Sequence, residues 1–132
     1  MKQDILKLLD EPETTIAVIG ATDDRSKFGN VIYRDLKSKG YSVYPVNPNR
    51  TTVDGDTAYK SVINLPGEPT IVNFVIHPSD TLKVLRQCFE NGLMNVFVQP
   101  GAEDPEVLAF LQEHGFNYVA NDCIMVQTRK KM

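Results

Sequence analysis

Cysteine and histidine are scarce in this chain, two of each in 132 residues. Cys88 and Cys123 do not make the disulfide framework of a small secreted domain, and neither belongs to a C-x-x-C pair with metal-ligand spacing. His77 and His114 complete no Ser-His-Asp order, and no nucleophile elbow occurs. Long apolar runs are also missing, none approaching the roughly 20 residues that span a bilayer. The N-terminus, MKQDILKLLDEPE, carries acids and has no long apolar centre, so no secretory signal is expected in it. Positive charge is not in excess either: the net charge of −3 argues against the basic face of a general nucleic-acid binder. No internal repeat, linker or low-complexity segment is visible. A composition of 42% hydrophobic and 23% charged residues predicts a soluble globular protein. The length predicts one domain over residues 1–132, and the cysteine usage a reducing, cytoplasmic home.

The most informative stretch runs from Thr14 to Asn30, TTIAVIGATDDRSKFGN. Ile16-Ala17-Val18-Ile19 reads as a strand that stops at Gly20, followed by a polar loop. From Phe28 to Lys39 the spacing turns helical, with Val31, Ile32 and Leu36 on one face and Gly40 as a left-handed cap. Strand, glycine, loop and helix open a Rossmann-type domain. The first turn of such a helix leaves N–H groups unpaired and carries partial positive charge, so a phosphate can sit there. Gly20, lacking a Cβ, would let the backbone turn sharply and approach a ligand.

Along the rest of the chain the same alternation recurs. Residues Lys2 to Leu9 predict a short helix that Pro12 follows, and Tyr41 to Val46 a second strand with Pro45 near its end. Thr51 to Leu65 gives little signal: a turn at Gly55 and one or two helical turns from Tyr59 to Asn64. Thr70 to Ile76 is a strand ended by His77-Pro78, and Ser79 or Asp80 is the expected cap of a helix through Glu90 whose face carries Leu82, Leu85 and Phe89. Met94 to Val98, Glu103 to His114 and Phe116 to Ala120 predict strand, helix, strand, and Cys123 to Gln127 a short extended piece. Five strands alternating with helices predict an α/β, Rossmann-like, open doubly wound sheet, mainly parallel, with helices on both faces.

In such sheets a ligand lies beyond the carboxyl ends of the strands. That rule selects the loops Gly20 to Gly29, Val46 to Arg50, Ile76 to Ser79, Gln99 to Ala102 and Asn121 to Cys123. The first loop does not match the dinucleotide fingerprint G-x-G-x-x-G, since Thr22 and Arg25 stand where glycines are needed. The segment closing strand two, Val46-Asn47-Pro48-Asn49-Arg50, offers no acid to a ribose and one cation. Both departures weaken NAD and leave room for a ligand with an extra phosphate, such as NADP or coenzyme A.

Five segments together resemble a known family. They are Ala17-Val18-Ile19-Gly20-Ala21-Thr22, Tyr44-Pro45-Val46-Asn47-Pro48-Asn49, Gly55 with Ala58-Tyr59, Gln99-Pro100-Gly101-Ala102, and Asn121-Asp122-Cys123-Ile124. In this order the chain resembles the small stand-alone CoA-binding proteins and, more distantly, the CoA-binding domain of the succinyl-CoA synthetase alpha subunit. The resemblance implies a Rossmann-like fold that binds coenzyme A or an acyl-CoA. It implies diphosphate contacts near Gly20, Ala21, Thr22, Ser26, Lys27 and Gly29, and a nucleotide side at Val46, Asn47, Pro48 and Arg50, with Arg50 in the place of a basic residue of the synthetase. Val75, Ile76, His77 and Pro78 resemble the segment beside the adenine, and Gln99 and Pro100 the pantetheine path. Arg50 is thereby expected to meet the 3′-phosphate. The synthetase works through a phosphorylated histidine in a later domain that these residues do not contain, so binding without turnover is the expectation.

Each remaining candidate has a plain reading beside a chemical one. Asp23-Asp24 reads as an exposed polar turn before it reads as a magnesium or amine site. His77 reads as a loop histidine lining the pocket before a base, and His114 suits a helix C-terminus. Cys88 belongs to an amphipathic helix and is expected to be buried. Cys123 follows a strand on the ligand side, where a thiol could exchange with that of CoA, although a packed cysteine is the simpler reading. Two alternatives stay open: a nucleotide-dependent oxidoreductase or CoA-thiol redox protein using Cys123, and a CoA-sensing regulatory module acting through a protein partner.

Overall fold

In the computed structural model, which describes residues 2–131, five apolar runs pair side by side in parallel. In chain order the strands are β1 (Thr15–Ile19), β2 (Ser42–Val46), a small antiparallel hairpin of β3 (Thr52–Val53) and β4 (Asp56–Thr57), then β5 (Ile71–Phe74), β6 (Asn95–Val98) and β7 (Asn117–Ala120). The main sheet has the order β2-β1-β5-β6-β7, so the chain reverses direction beside β1. Helices α1 (Lys2–Asp10), α2 (Phe28–Ser38), α3 (Pro78–Glu90), α4 (Pro105–Glu113) and α5 (Ile124–Gln127) cover it.

Side chains alternate across the strands, and both faces are dry. Ile16 and Val18 of β1 pack with Ile5, Leu9, Ile32, Leu36 and Ile124, which places α1, α2 and α5 on one face. Ala17 and Ile19 pack with Leu85, Cys88, Val107 and Leu111, which places α3 and α4 on the other. A strand covered on both faces reads as an unbroken apolar run, as IAVI and IVNF do. Fully burying one Leu or Ile is worth roughly 1.5–3 kcal/mol, more than a typical net hydrogen bond, so these layers set the register. The fold is the Rossmann-like α/β class that the alternation predicts. Pro45 sits in β2 at the sheet edge, where its missing N–H costs no ladder bond.

Four local expectations are corrected. Residues 51 to 65 contain a hairpin as well as a 3-10 turn at Val62–Asn64; Asp54 and Gly55 both take positive φ, 49° and 84°, as a tight hairpin turn requires. Strands of two residues have no periodicity to read. Helix α3 is capped by His77, not by Ser79 or Asp80: Pro78 takes the first helical position and the Ser79 N–H donates to His77 Nδ1 at 3.2 Å. Its buried face is Thr81, Leu85 and Cys88, and Phe89 is 45% exposed. The segment after Cys123 is helical, not extended. Tertiary groups hold it: Ile124 N–H donates to Gln99 Oε1 at 3.0 Å, and the buried Lys39 Nζ donates to Met125 O and Thr128 Oγ1, both at 3.0 Å.

Candidate functional site

The reversal beside β1 splays the loops after β1, β2 and β5 apart, and two hollows open there. One, of about 380 Å³, has an apolar floor of Ile19, Val46, Val62, Ile76 and Val84. Its rim carries Asn47, Pro48, Asn49, Lys60 and Lys83. The other, of about 430 Å³, lies over the start of α2 and is lined by Thr22, Asp24, Lys27, Phe28, Gly29, Arg50 and Val75. Gly20 and Ile76 line both, so the hollows form one groove across the carboxyl edge.

The floor of the second hollow is built by two glycines. Gly20 has φ +102°, and a Cβ there would stand 2.6 Å from Val75 O and 2.7 Å from Ile76 Cγ2. A Cβ on Gly29 would stand 2.0 Å from Gly20 O. Gly20 is therefore required by the close approach of β5, a packing demand that stands beside its place in the lining of both hollows. Gly29 lets the first turn of α2 rest on the Gly20 turn, the helix-packing task of the third glycine in the dinucleotide fingerprint. The fingerprint spacing hides it; a glycine at the second helical residue is the signal that reveals it.

Above these glycines the helix start is open. Lys27 is the N-cap of α2 with extended backbone, and no side chain caps the first turn. Helices α3 and α4 are closed in contrast, by His77 and by Asp104, whose Oδ1 accepts from Val107 N–H at 2.9 Å. Unpaired N–H groups, the positive helix end and the Lys27 ammonium make the start of α2 a place for an anion.

The acids of the loop are tied into its frame. Asp24 accepts from Ser26 N–H at 3.0 Å and from Ser26 Oγ at 2.6 Å, and these bonds hold its carboxyl below the usual range. Asp23 pairs with Arg50, Nη1 to Oδ2 at 3.1 Å, and accepts from Asp54 N–H. Thr22 Oγ1 accepts from Asp24 N–H at 3.2 Å, and Thr22 O accepts from the buried Asn30 Nδ2 at 2.7 Å. Asn47 Nδ2 donates to Ala21 O at 2.9 Å, and Asn47 Oδ1 accepts from Asn49 N–H at 2.9 Å. Asn47 thus joins the loops after β1 and β2.

The other sequence candidates disperse. Arg50 lines the hollow of Lys27, not the cleft of Pro48. His77 is an exposed cap. Gln99 is fully buried, its amide oxygen holding α5, and Pro100 is exposed. Among the described residues, His77, Pro78, Gln99 and Pro100 line neither hollow. Cys123 is half-buried at the N-cap of α5 and also lies outside both. Burial pushes the Cys88 thiol up to about 12. No cluster of three or more metal-ligating residues occurs among the described residues. Lys60, Lys83, Val62 and Val84 escape sequence reading because they reach the groove from a helix interior or from the weakly patterned segment, and Asn30 because it holds the loop from inside α2.

Known proteins share this fold. The chain is 31% identical over 120 residues to the alpha subunit of an ADP-forming acetate–CoA ligase of Pyrococcus furiosus, covering 83% of this chain and 26% of that protein. It thus spans about a quarter of that relative's length. A small protein of Bacillus subtilis is 26% identical over 111 residues, with 84% and 82% of the two chains covered. A conserved hypothetical protein from Pyrococcus furiosus superposes with a TM-score of 0.84 at 41% identity, covering 87% of this chain and 99% of that one. A Thermus thermophilus structure gives 0.85 at 30% identity over 100% and 99%. The family model of the CoA binding domain matches residues 14–129, nearly the whole chain, and this protein belongs to that family.

Proposed function

We propose that this protein binds coenzyme A or an acyl-CoA in the groove along the carboxyl edge of β1, β2 and β5. The observation that carries the reading is the uncapped first turn of α2 beside Lys27, where the neighbouring helices are closed by their own side chains. The diphosphate lies there, against the backbone of Gly20, Ala21, Thr22 and Gly29, with Ser26 at the loop edge and Lys27 as counter-ion. The nucleoside extends over Val46, Asn47 and Pro48, between Val75 and Ile76, towards the start of α3 at His77 and Pro78. The pantetheine arm leaves in the direction of Gln99 and Pro100.

The domain acts without turnover of its own, in the cytoplasm, as one unit over residues 1–132. In the ADP-forming ligases the matching region is a fraction of a larger enzyme, so holding the coenzyme is the part of their task that this region supports. Cys123 lies outside the groove, and no observation favours a thiol-exchange reaction there.

Thermal melting with CoA and with NAD tests the reading. At a free concentration about a hundred times its dissociation constant, a ligand stabilises the fold by roughly 2.7 kcal/mol. That raises the midpoint by several degrees for a domain of this size. CoA is expected to produce the shift and NAD to produce none, since the loop after β2 lacks a carboxylate for the ribose. A shift with NAD and a flat response to CoA refutes it.

A further inference from the structure

The apolar cleft carries cations of its own, apart from Lys27 at the helix start. Lys60 and Lys83 both line that cleft, one from the segment after β4 and one from α3. Neither side chain takes part in an ion pair or hydrogen bond among the described residues. The cleft has one carboxylate on its rim, Asp80, in the first turn of α3, where the positive helix end favours it. Asn49 and Ser61 add neutral polar groups to the same rim. Two unpaired ammonium groups over an apolar floor suit a flat, greasy ring that carries an anion at its edge.

Arg50, the cation that the sequence offers for an extra phosphate, is differently placed. Its guanidinium is paired with Asp23 and lines the hollow of Lys27, on the diphosphate side of Gly20. We infer that Lys60 and Lys83, and not Arg50, read the phosphate on the ribose of the bound coenzyme. The inference rests on the CoA reading above and sharpens it: the groove selects a nucleotide with a ribose phosphate in addition to its diphosphate. Arg50 then serves the diphosphate and the loop, so that its loss weakens both ligand forms alike.

Calorimetric titration with CoA and with dephospho-CoA decides this, using the wild type, the double variant K60Q/K83Q and R50Q. Lys60 and Lys83 are exposed, so the double variant is expected to melt as the wild type does. Wild type is expected to prefer CoA by about tenfold to a hundredfold, the scale of one or two charge-assisted hydrogen bonds. In K60Q/K83Q that preference should fall towards one, through loss of CoA affinity with dephospho-CoA affinity unchanged. In R50Q both affinities should fall and the preference should persist. A preference that survives in K60Q/K83Q, or collapses only in R50Q, overturns the assignment and leaves the CoA reading standing. Equal wild-type affinity for the two ligands does the same. If the wild type binds neither, the CoA reading itself fails, and the subsite with it.

Discussion

Helices α2 and α4 begin at the same edge of the sheet, each after a parallel strand, yet their first turns are built in opposite ways. Helix α4 starts behind Asp104-Pro105, with the Asp104 carboxylate closing on Val107 N–H. Helix α2 starts behind Lys27, whose side chain accepts nothing, and its second residue is a glycine that lies against Gly20 O. A missing cap costs about 1 kcal/mol, within a range of roughly 0.5–2. Helix α4 avoids that cost; α2 bears it. The difference leaves the first turn of α2 open to a group from outside the chain, as the proposed CoA site requires.

The strongest way to break the comparison is Gly29→Ala. In most helix interiors this change stabilises by up to about 1 kcal/mol. Here the new methyl would stand 2.0 Å from Gly20 O, so α2 must shift or the β1 turn must open. Destabilisation by about 3 kcal/mol is expected, at the upper end of overpacking, read as a lower urea midpoint. An unchanged or raised midpoint would mean that α2 does not rest on the turn.

Next in size is a change that trades function for stability. Lys27 already has the extended backbone of a capping residue. Lys27→Asp should close the first turn and raise stability by about 1 kcal/mol, while weakening CoA tenfold or more because an anion now occupies the anion's place. Asp104→Ala is the mirror experiment. It should cost about 1 kcal/mol and leave CoA affinity untouched. If both variants move stability alike, or neither changes affinity, the two helix starts are equivalent and the comparison fails.

The smallest effect concerns the hairpin that flanks the open helix. Asp56 on β4 accepts from Tyr33 Oη at 2.5 Å and pairs with Lys37. These bonds, that of Lys37 first, hold its carboxyl below the ordinary aspartate value of 3.8. A carboxyl lowered in the folded state contributes stability above its unfolded value and loses it as pH falls through the folded one. The stability gap between wild type and Asp56→Asn should therefore be constant near neutrality and close only below about pH 4. A gap that closes between pH 7 and 5 would assign the stabilisation to another group. Because Asp56 is partly exposed, the gap itself should be modest.

Sequence legibility followed the same division. The layers were readable because burial imposes a period: IAVI, SVYPV and NVFV each appear as an apolar run, and Leu36 and Leu85 lie at helical spacing from their apolar neighbours. Gly40 declared its cap, and its φ is +94°. The hairpin at 52–57 was not readable, since two-residue strands carry no period and its anchors, Asn30 to Asp54 and Tyr33 to Asp56, join residues more than 20 apart. The tail after Cys123 read as extended because its helical turn is held by Gln99 and Lys39 from other elements.

By itself the chain determined its α/β class and the parallel pairing of its five main strands, because those follow from local apolar period and from the handedness of parallel crossovers. What only the tertiary structure decided is the use of each polar residue at the carboxyl edge of the sheet. Gly20 and Gly29 answer to the approach of β5 and α2, Asp23 holds Arg50, Asn47 holds Ala21, and Gln99 holds Ile124. Lys27, Lys60 and Lys83 are left facing the groove. A polar side chain has no period of its own; its partner is set by which distant backbone groups the packed layers bring within hydrogen-bonding reach, and only folding fixes that distance.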